Sequence, residues 1–376
     1  MKILHIITGL GDGGAEHTLY KICKYDLKNK HIVISLKGRD KYFSLLNKIG
    51  IKVFCFNFKF YSFINFFFLV NTIRKLKPDI TQTWLVHADL VGGMASFLAG
   101  NKKIIWNIRY SNLELGKAKL MTILIIKLLS KLSYLIPRKI VIVSKKAINI
   151  YEKQGYNKNN FIFIPNGYDL LSLKQESKKR KVFIAKNNLE NKKFIIGNVA
   201  RYDPKKDHLN LLNALSILRN KKIEFFCMLA GNNIDRNNLK LMKDINKFKL
   251  IRYIKLLGQR NNILEVMNGI DVYVQSSSFG EGFPNVVAEA MACKTPCIVT
   301  DVGDASLIVG NTGWVVPPSD PIHMANALEK SFYEIGSTKW NQRCNKARSK
   351  ISNDFDISIM IKKYNKLWTR VYKTKY

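Results

Sequence analysis

Ser276-Ser277-Ser278-Phe279-Gly280-Glu281-Gly282-Phe283-Pro284-Asn285-Val286-Val287-Ala288-Glu289-Ala290-Met291-Ala292 follows directly on Asp271-Val272-Tyr273-Val274-Gln275, a β-branched apolar run. A strand that ends in glycines and reopens as an alanine-rich helix belongs to an alternating α/β pattern. Glu281 then lies just past the strand's carboxyl end. Pro284 suits the first helical position, where its missing N–H costs nothing. The N–H groups around Gly282, Phe283 and Asn285 would face the crevice, a natural seat for phosphate or sugar oxygens. Glu289 stands eight residues beyond Glu281, and within a helix that spacing is roughly two turns. Both carboxylates could therefore reach one ligand at different depths. Spaced glutamates are common, and an acidic loop with a solvated helical Glu is the plain alternative. The intervening Gly-Phe-Pro-Asn is the rarer part of the signal.

The same alternation runs outward from this stretch. Strand-like runs at 194–199, 225–230, 251–256, 296–300 and 314–316 accompany it, with a helix over 208–218. The first half repeats the pattern, with strands at 2–8, 31–36, 52–56, 80–83, 103–107 and 139–143 and helices at 15–25 and 88–98. Alternation of this kind implies parallel strands with covering helices. The fold expected is α/β, two facing Rossmann-like domains with a cleft between them. Open parallel sheets bind ligands at the carboxyl ends of their strands, so each half would take one substrate. The expected organisation is a domain over 1–170, a linker over 171–190, a second domain over 191–355 and a C-terminal helical segment over 356–376. The polar run Lys178-Lys179-Arg180-Lys181 reads as part of the solvated linker rather than as a binding site.

The chain has 376 residues, 47% of them apolar and 24% charged, a globular composition with room for two cores. No uncharged apolar run is long enough to span a bilayer, and the residues before Gly9 are too few for a signal peptide. Six scattered cysteines (23, 55, 227, 293, 297 and 344) form no paired framework, which suits reduced thiols in the cytoplasm. Lysine and arginine number 62 against 27 acidic residues, a net charge of +35. Such a surface attracts polyanions, either anionic headgroups or nucleic acid. The same excess also fits a compositional bias toward Lys, Asn and Ile. No zinc-finger spacing or stacking-aromatic signature supports nucleic acid, and none is expected as a partner.

Two apolar stretches of the first half carry more information. Residues 60–70 hold five phenylalanines interrupted only by polar Ser and Asn, and 118–136 is Leu- and Ile-rich with Lys119, Lys127 and Lys131. Lys127 and Lys131 share a helix face. The pattern fits a helix lying in an anionic membrane surface. A core helix with a buried loop is the other reading.

Three strand-end loops hold candidate chemistry. Thr8-Gly9-Leu10-Gly11-Asp12-Gly13-Gly14-Ala15-Glu16 lets backbone approach a ligand at a helix N-terminus, with spacing unlike the dinucleotide fingerprint. Gly197-Asn198-Val199-Ala200-Arg201-Tyr202-Asp203-Pro204-Lys205-Lys206-Asp207 offers two cations, Arg201 and Lys206. Cations of this kind would stabilise charge developing on a departing diphosphate. No Asp-x-Asp pair sits in a strand-end loop to hold a metal.

Together these residues resemble the family 4 retaining glycosyltransferases of the GT-B fold, over nearly the whole chain and most strongly over 194–320. Glu281 and Glu289 match that family's Glu-x7-Glu signature, and Arg201 and Lys206 its Arg-x4-Lys pair. The resemblance implies catalytic roles for Arg201, Lys206 and Glu281. Glu281 would hold the donor sugar, and Glu289 the ribose of the nucleotide. Donor contacts are implied at Gly13, Gly14, Gln259, Arg260, Gly282, Phe283, Pro284 and Asn285, where the segment 256–262 meets the nucleobase. The final helix of such a fold usually crosses back to the first domain. The family usually has Gly after its Lys, whereas Asp207 and His208 follow here, which puts the local loop geometry in question. Many relatives carry a His in the loop that here reads Trp106-Asn107-Ile108-Arg109-Tyr110, so an inherited His role is in doubt; His87, Arg109 and Tyr110 are the acceptor-side candidates.

The function these readings imply is transfer of a hexosyl or N-acetylhexosaminyl group, with retention and without metal or other cofactor, in surface polysaccharide biosynthesis. The partners expected are a nucleotide-sugar donor, a polyprenyl-diphosphate-linked oligosaccharide acceptor and the cytoplasmic face of an anionic membrane, held peripherally. The alternatives are a sugar-nucleotide epimerase on the same fold and a non-catalytic lipid or nucleic-acid binder.

Overall fold

The computed structural model describes residues 1–57, 63–109, 120–260 and 262–374, and the chain divides into two units, Met1–Gly167 with Ile357–Tyr376 and Tyr168–Asp356. In the first unit the elements run β1 (Lys2–Ile7), α1 (Gly14–Tyr25), β2 (Lys30–Ser35), α2 (Lys41–Lys48), β3 (Lys52–Cys55), α3 (Phe63–Leu76) and β4 (Ile80–Trp84). They continue with α4 (Val86–Leu98), β5 (Ile104–Ile108), α5 (Leu120–Leu132), β6 (Lys139–Ile142), α6 (Lys145–Lys153) and β7 (Phe161–Phe163). Among the described residues its sheet is parallel, in the order β3-β2-β1-β4-β5-β6-β7. β4 and β5 are buried along their whole length, as strands covered by helices on both faces must be.

The second unit runs α7 (Ser177–Asn187), β8 (Ile195–Val199), α8 (His208–Asn220), β9 (Phe226–Ala230), α9 (Leu239–Lys247), β10 (Ile254–Leu256) and α10 (Ile263–Gly269). It goes on through β11 (Val272–Gln275), α11 (Asn285–Ala292), β12 (Cys297–Thr300), α12 (Ala305–Val309), β13 (Trp314–Val316), α13 (Pro321–Glu334) and α14 (Thr338–Phe355). Its sheet is also parallel, ordered β10-β9-β8-β11-β12-β13. Both units are therefore Rossmann-like: strands are added to one side of the first strand, and the chain then crosses to add the rest on the other.

The last helix, α15 (Ile357–Lys373), belongs to the first unit. Its buried face of Met360, Tyr364, Leu367, Trp368 and Val371 completes a core shared with Ile3, Ile7, Leu19 and Val33. The Trp368 indole donates to Gln82 Oε1 at 2.7 Å. Beneath α15 lies a buried chain of hydrogen bonds whose protons are fixed by one obligate donor. Trp84 Nε1–H can only donate, and it donates to His5 Nδ1 at 3.2 Å. The His5 proton therefore sits on Nε2 and is given to His31 Nδ1 at 2.9 Å. His31 Nε2–H in turn donates to Asp26 Oδ2 at 3.0 Å. Cys23 lies close enough to the two imidazoles to suggest a metal site, but these bonds occupy the ring lone pairs a metal would need.

The stretch expected as a linker is instead helix α7 of the second unit. Its sequence hides this because only one position needs to be apolar. Phe183 is buried where Gly269 lacks a side chain, an added Cβ there falling 1.9 Å from the Phe183 ring. Arg180 pairs with Asp271 at 2.6 Å, and the remaining cations face solvent. Residues 118–136 are not a core helix either. α5 buries Ile125, Ile126 and Leu129 but exposes Met121, Leu124 and Leu128. Of the two apolar stretches, residues 60–62, 118 and 119 lie outside the described residues. No helix among the described residues is long and apolar enough to cross a membrane.

Candidate active site

β8 and β11 lie side by side, yet their onward connections lead to opposite sides of the sheet, to β9 and to β12. The loops leaving their carboxyl ends diverge and open a crevice between them. One loop carries Arg201 and Lys206; the other carries Glu281.

The first loop is held by backbone. Ala200 N–H donates to Ala230 O and Tyr202 N–H to Asn232 O, both at 2.9 Å. Gly231, at φ +152°, allows this approach, since a Cβ there would stand 2.1 Å from Ala200 O. Asp203 accepts from Lys205 N at 3.1 Å and from Arg201 Nε at 3.0 Å. Asp207 adopts φ +47°, the left-handed region, which explains why glycine is the residue the resemblance implies here. The aspartate is retained in that conformation by capping α8, accepting from Asn210 N at 3.1 Å, and by Ser319 Oγ, which donates to it at 3.0 Å. The loop turns as a glycine would turn it.

The second loop is tied to the first. Ser278 N–H donates to Lys205 O at 2.9 Å, and Ser276 Oγ donates to Lys206 O at 2.7 Å. Lys206 Nζ forms an ion pair with Glu281 Oε1, which also accepts from Ser277 Oγ at 2.7 Å. Burial alone would raise the Glu281 carboxyl. The Lys206 charge, with hydrogen bonds from Lys206, Ser277 and Gln275, outweighs burial and holds it below the ordinary carboxylate range. It is therefore ionised at neutral pH. Burial, and then the same Lys206 charge, push the neighbouring His208 down to about 4, so that imidazole is neutral. Lys206, Glu281, Asn198, Gln275 and Phe283 are among the residues lining a cavity of ≈ 230 Å³.

Several sequence expectations change at this point. Pro284 is the residue before α11 rather than its first helical residue, and its fixed φ of −71° directs the chain into the helix. Helix α11 begins at Asn285, so the spacing of Glu281 and Glu289 is half loop and half helix, not two helical turns. Phe283, Pro284 and Asn285 line the cavity beside Glu281, whereas Glu289 lies one turn further along α11 and is not among its lining residues. The Asn285 side-chain oxygen accepts from Tyr168 OH at 2.7 Å. Arg201 is exposed and turned to Asp203. Gln259 and Arg260 stand exposed after β10, and Asn261 lies outside the described residues.

In the first unit, Gly13 and Gly14 open α1 at the carboxyl end of β1. His87 sits in the first turn of α4, its imidazole lowered by burial and then by Lys37. Arg109 donates to Asn107 Oδ1 and Tyr364 OH, each at 2.9 Å, and to Asn166, with its guanidinium 5.1 Å from the Trp84 ring. Tyr110 lies outside the described residues. Sequence reading missed Ser277 and Gln275 as supports of Glu281, and Asn198 as part of the cavity wall. The run of three serines four residues before the glutamate was the available signal for the first.

Residues 179–347 match the family model described as glycosyl transferases group 1. Over 311 residues the chain is 26% identical to the UDP-Gal:alpha-D-GlcNAc-diphosphoundecaprenol alpha-1,3-galactosyltransferase of Escherichia coli, covering 80% of this chain and 77% of that one. It is 23% identical over 373 residues to the N,N'-diacetylbacillosaminyl-diphospho-undecaprenol alpha-1,3-N-acetylgalactosaminyltransferase of Campylobacter jejuni, covering 95% and 96%. The crystal structure of Anabaena HepE in complex with UDP superposes with a TM-score of 0.87 at 21% identity, covering 98% of this chain and 100% of that one. That likeness establishes the fold.

Proposed function

We propose that this chain, whose residues 179–347 match the model of group 1 glycosyl transferases and whose fold is that of GT-B structures, transfers a hexosyl or N-acetylhexosaminyl group with retention. The donor would be a nucleotide-sugar, and the acceptor a growing oligosaccharide on a diphosphoundecaprenol-type lipid, as the names of the Escherichia coli and Campylobacter jejuni relatives suggest. The observation that carries the reading is the Lys206–Glu281 pair at the crevice between the β8 and β11 loops.

Glu281, ionised and fixed by Ser277, accepts hydrogen bonds from donor-sugar hydroxyls. Lys206, and Arg201 once it swings from Asp203, stabilise negative charge as the diphosphate departs. The acceptor hydroxyl attacks on the face the diphosphate leaves, and its proton passes to the departing phosphate oxygen. These cations stand in for a metal, so transfer should persist in excess chelator. Glu289 holds the ribose. The work is done peripherally at the cytoplasmic face of an anionic membrane, where a lipid-linked acceptor resides.

The test is a donor panel of UDP-hexoses and UDP-N-acetylhexosamines, with and without a diphosphoundecaprenol-linked sugar. Nucleotide release and the anomeric configuration of the product are read together. Acceptor-dependent release with a retained anomer is expected. Conversion of the donor alone would favour the epimerase reading, and an inverted product would overturn the mechanism.

A further inference from the structure

Helices α3, α4 and α5 lie side by side on one face of the first unit's sheet, α3 on the crossing from β3 to β4, α4 and α5 on the connections from β4 to β5 and from β5 to β6. Their inner sides are core: Leu69, Val70 and Ile73 from α3, Ala88 and Ala95 from α4, Ile125, Ile126 and Leu129 from α5. Their outer sides are apolar too. Ile64, Phe67 and Phe68 on α3, Met94 and Leu98 on α4, and Met121, Leu124 and Leu128 on α5 are all exposed. Apolar surface spread over three adjacent helices is not the scatter expected of a soluble face. In the second unit, by contrast, Leu171, Leu239 and Ile251 stand on separate segments.

The charge on this layer has one sign. The only carboxylate within the three helices, Asp89, is buried, while Arg74, Lys75, Lys127 and Lys131 reach solvent. At the edge of the layer, beside Leu98, lies a cavity of ≈ 440 Å³ lined by Arg74, Lys77, Lys102 and Lys103 among others. Arg74 is held at its rim by donating to Leu98 O at 2.9 Å. The one acid in the lining, Asp79, accepts from Lys2 N at 2.7 Å.

We propose that the outer face of α3, α4 and α5 docks on an anionic phospholipid bilayer, its apolar side chains entering the interface and the cationic edge cavity receiving lipid phosphates. An apolar centre with cations and, within the three helices, no exposed acid matches that partner on both counts. A second copy of the same face would set lysine against lysine, and a nucleic-acid backbone would leave the phenylalanines in water. The proposal rests on the lipid-linked reading above for its choice of partner and names the face that meets the membrane.

The experiment is sedimentation of the full chain with vesicles of phosphatidylcholine alone and of phosphatidylcholine with phosphatidylglycerol. Binding to the anionic vesicles only is expected, weakened by salt but not abolished, because insertion is not screened. Lys77→Glu with Lys102→Glu should cut anionic-vesicle affinity by at least about tenfold at low salt. Phe67→Ser with Phe68→Ser, or Leu124→Ser with Leu128→Ser, should remove the salt-resistant part. Leu171→Ser with Leu239→Ser serves as the control and should bind as wild type, with melting curves checked for every variant. Transfer to a short soluble acceptor should survive all of these changes, so a failure of docking is distinct from a failure of the glycosyltransferase reading. Indifference of the wild type to anionic vesicles at low salt overturns the proposal. So does wild-type binding by the face variants, or lipid-free dimerisation that Phe67→Ser with Phe68→Ser abolishes.

Discussion

A Cβ built on Gly303 would stand 2.5 Å from the carbonyl oxygen of Glu281 and 2.6 Å from that of Gly282. The turn after β12 is therefore seated on the backbone that carries the site's carboxylate, and Asp304 N–H donates to Gly282 O at 2.8 Å. Gly303 also holds φ +58°. Gly303→Ala should cost both left-handed strain, about 1–2 kcal/mol, and the seating of Glu281. Turnover should fall on the order of 10²-fold, as for a displaced positioning group. Gly336→Ala is the control, at φ +80° with open space around it; it should lose stability and keep its turnover. Melting curves and initial rates on both variants decide the matter, and equal turnover in the two would break the link from Gly303 to Glu281.

Lys206 is the cation already at the crevice, and Arg201 reaches it only by leaving Asp203. Replacing Lys206 by Ala should cost roughly 2.7–4 kcal/mol of barrier stabilisation, about 10²–10³-fold in kcat, by analogy with loss of one oxyanion donor. Arg201→Ala should lower turnover in the same direction. Since Arg201 is exposed, its loss should leave the melting temperature near wild type. A variant of either residue that keeps more than half the wild-type turnover would remove it from the mechanism.

The two glutamates should separate in a binding experiment. Glu289→Ala removes the acceptor proposed for the ribose hydroxyls and should weaken nucleoside diphosphate binding. Glu281→Ala should leave that affinity nearly intact while depressing transfer, because its partners are Lys206 and Ser277 beside the position proposed for the sugar. Titration calorimetry with UDP reads the first effect, and initial rates with the nucleotide-sugar read the second. Equal losses of UDP affinity in both variants would refute the division.

How much of this was legible in the sequence depended on what each segment buries. Strands covered on both faces are rich in apolar and β-branched residues, so residues such as Ile3, Ile80 and Val272 announce them even where Thr81, Gln82 and Thr83 interrupt the apolar run. Helix α7 buries little more than Phe183 and satisfies its charge through Arg180 and Asp271, which no local pattern betrays. Lys206 and Glu281 were legible as residues of a strand-end crevice because chemistry restricts the residue types, whereas Arg201 turns to Asp203 and Glu289 is not among the cavity's lining residues. The supports of Glu281 were not legible: Ser277 and Gln275 reach it from the end of β11, and the backbone that carries it is seated by Gly303, twenty-odd residues away in the turn after β12. Asp207 shows the reverse case. A departure that put the loop geometry in question in sequence is accommodated: Asp207 takes the left-handed conformation and its side chain is held there by capping α8 and by Ser319.

The stability of the first unit should fall in acid, with a sign set by three imidazoles against two carboxyls. Burial, and then His31, hold His5 well below its ordinary 6.5, while Asp26 pulls the other way. Burial, then Lys21 and Lys41, lower His17 to about 4, and His87 is lowered as well. Below 6.5 the unfolded chain takes up protons that these folded imidazoles refuse. Their contribution is complete above that pH and is lost as pH falls from 6.5 toward about 4. Asp89 works in the opposite direction: burial, outweighing the hydrogen bond from Thr83, raises it to about 7. The folded carboxyl keeps its proton where the unfolded one, at 3.8, has lost it, so this contribution grows as pH falls from 7 toward 3.8. Glu16, raised by burial and by the charges of Asp12 and Asp40, works as Asp89 does; the three imidazoles outnumber the two carboxyls, and the melting temperature should drop between pH 7.5 and pH 4.5. Asp89→Asn should steepen that drop, and His17→Gln should make it shallower by sparing one proton. Melting followed by circular dichroism across this range provides the test. A flat wild-type profile, or a shallower one in Asp89→Asn, would show that these buried groups do not set the acid response.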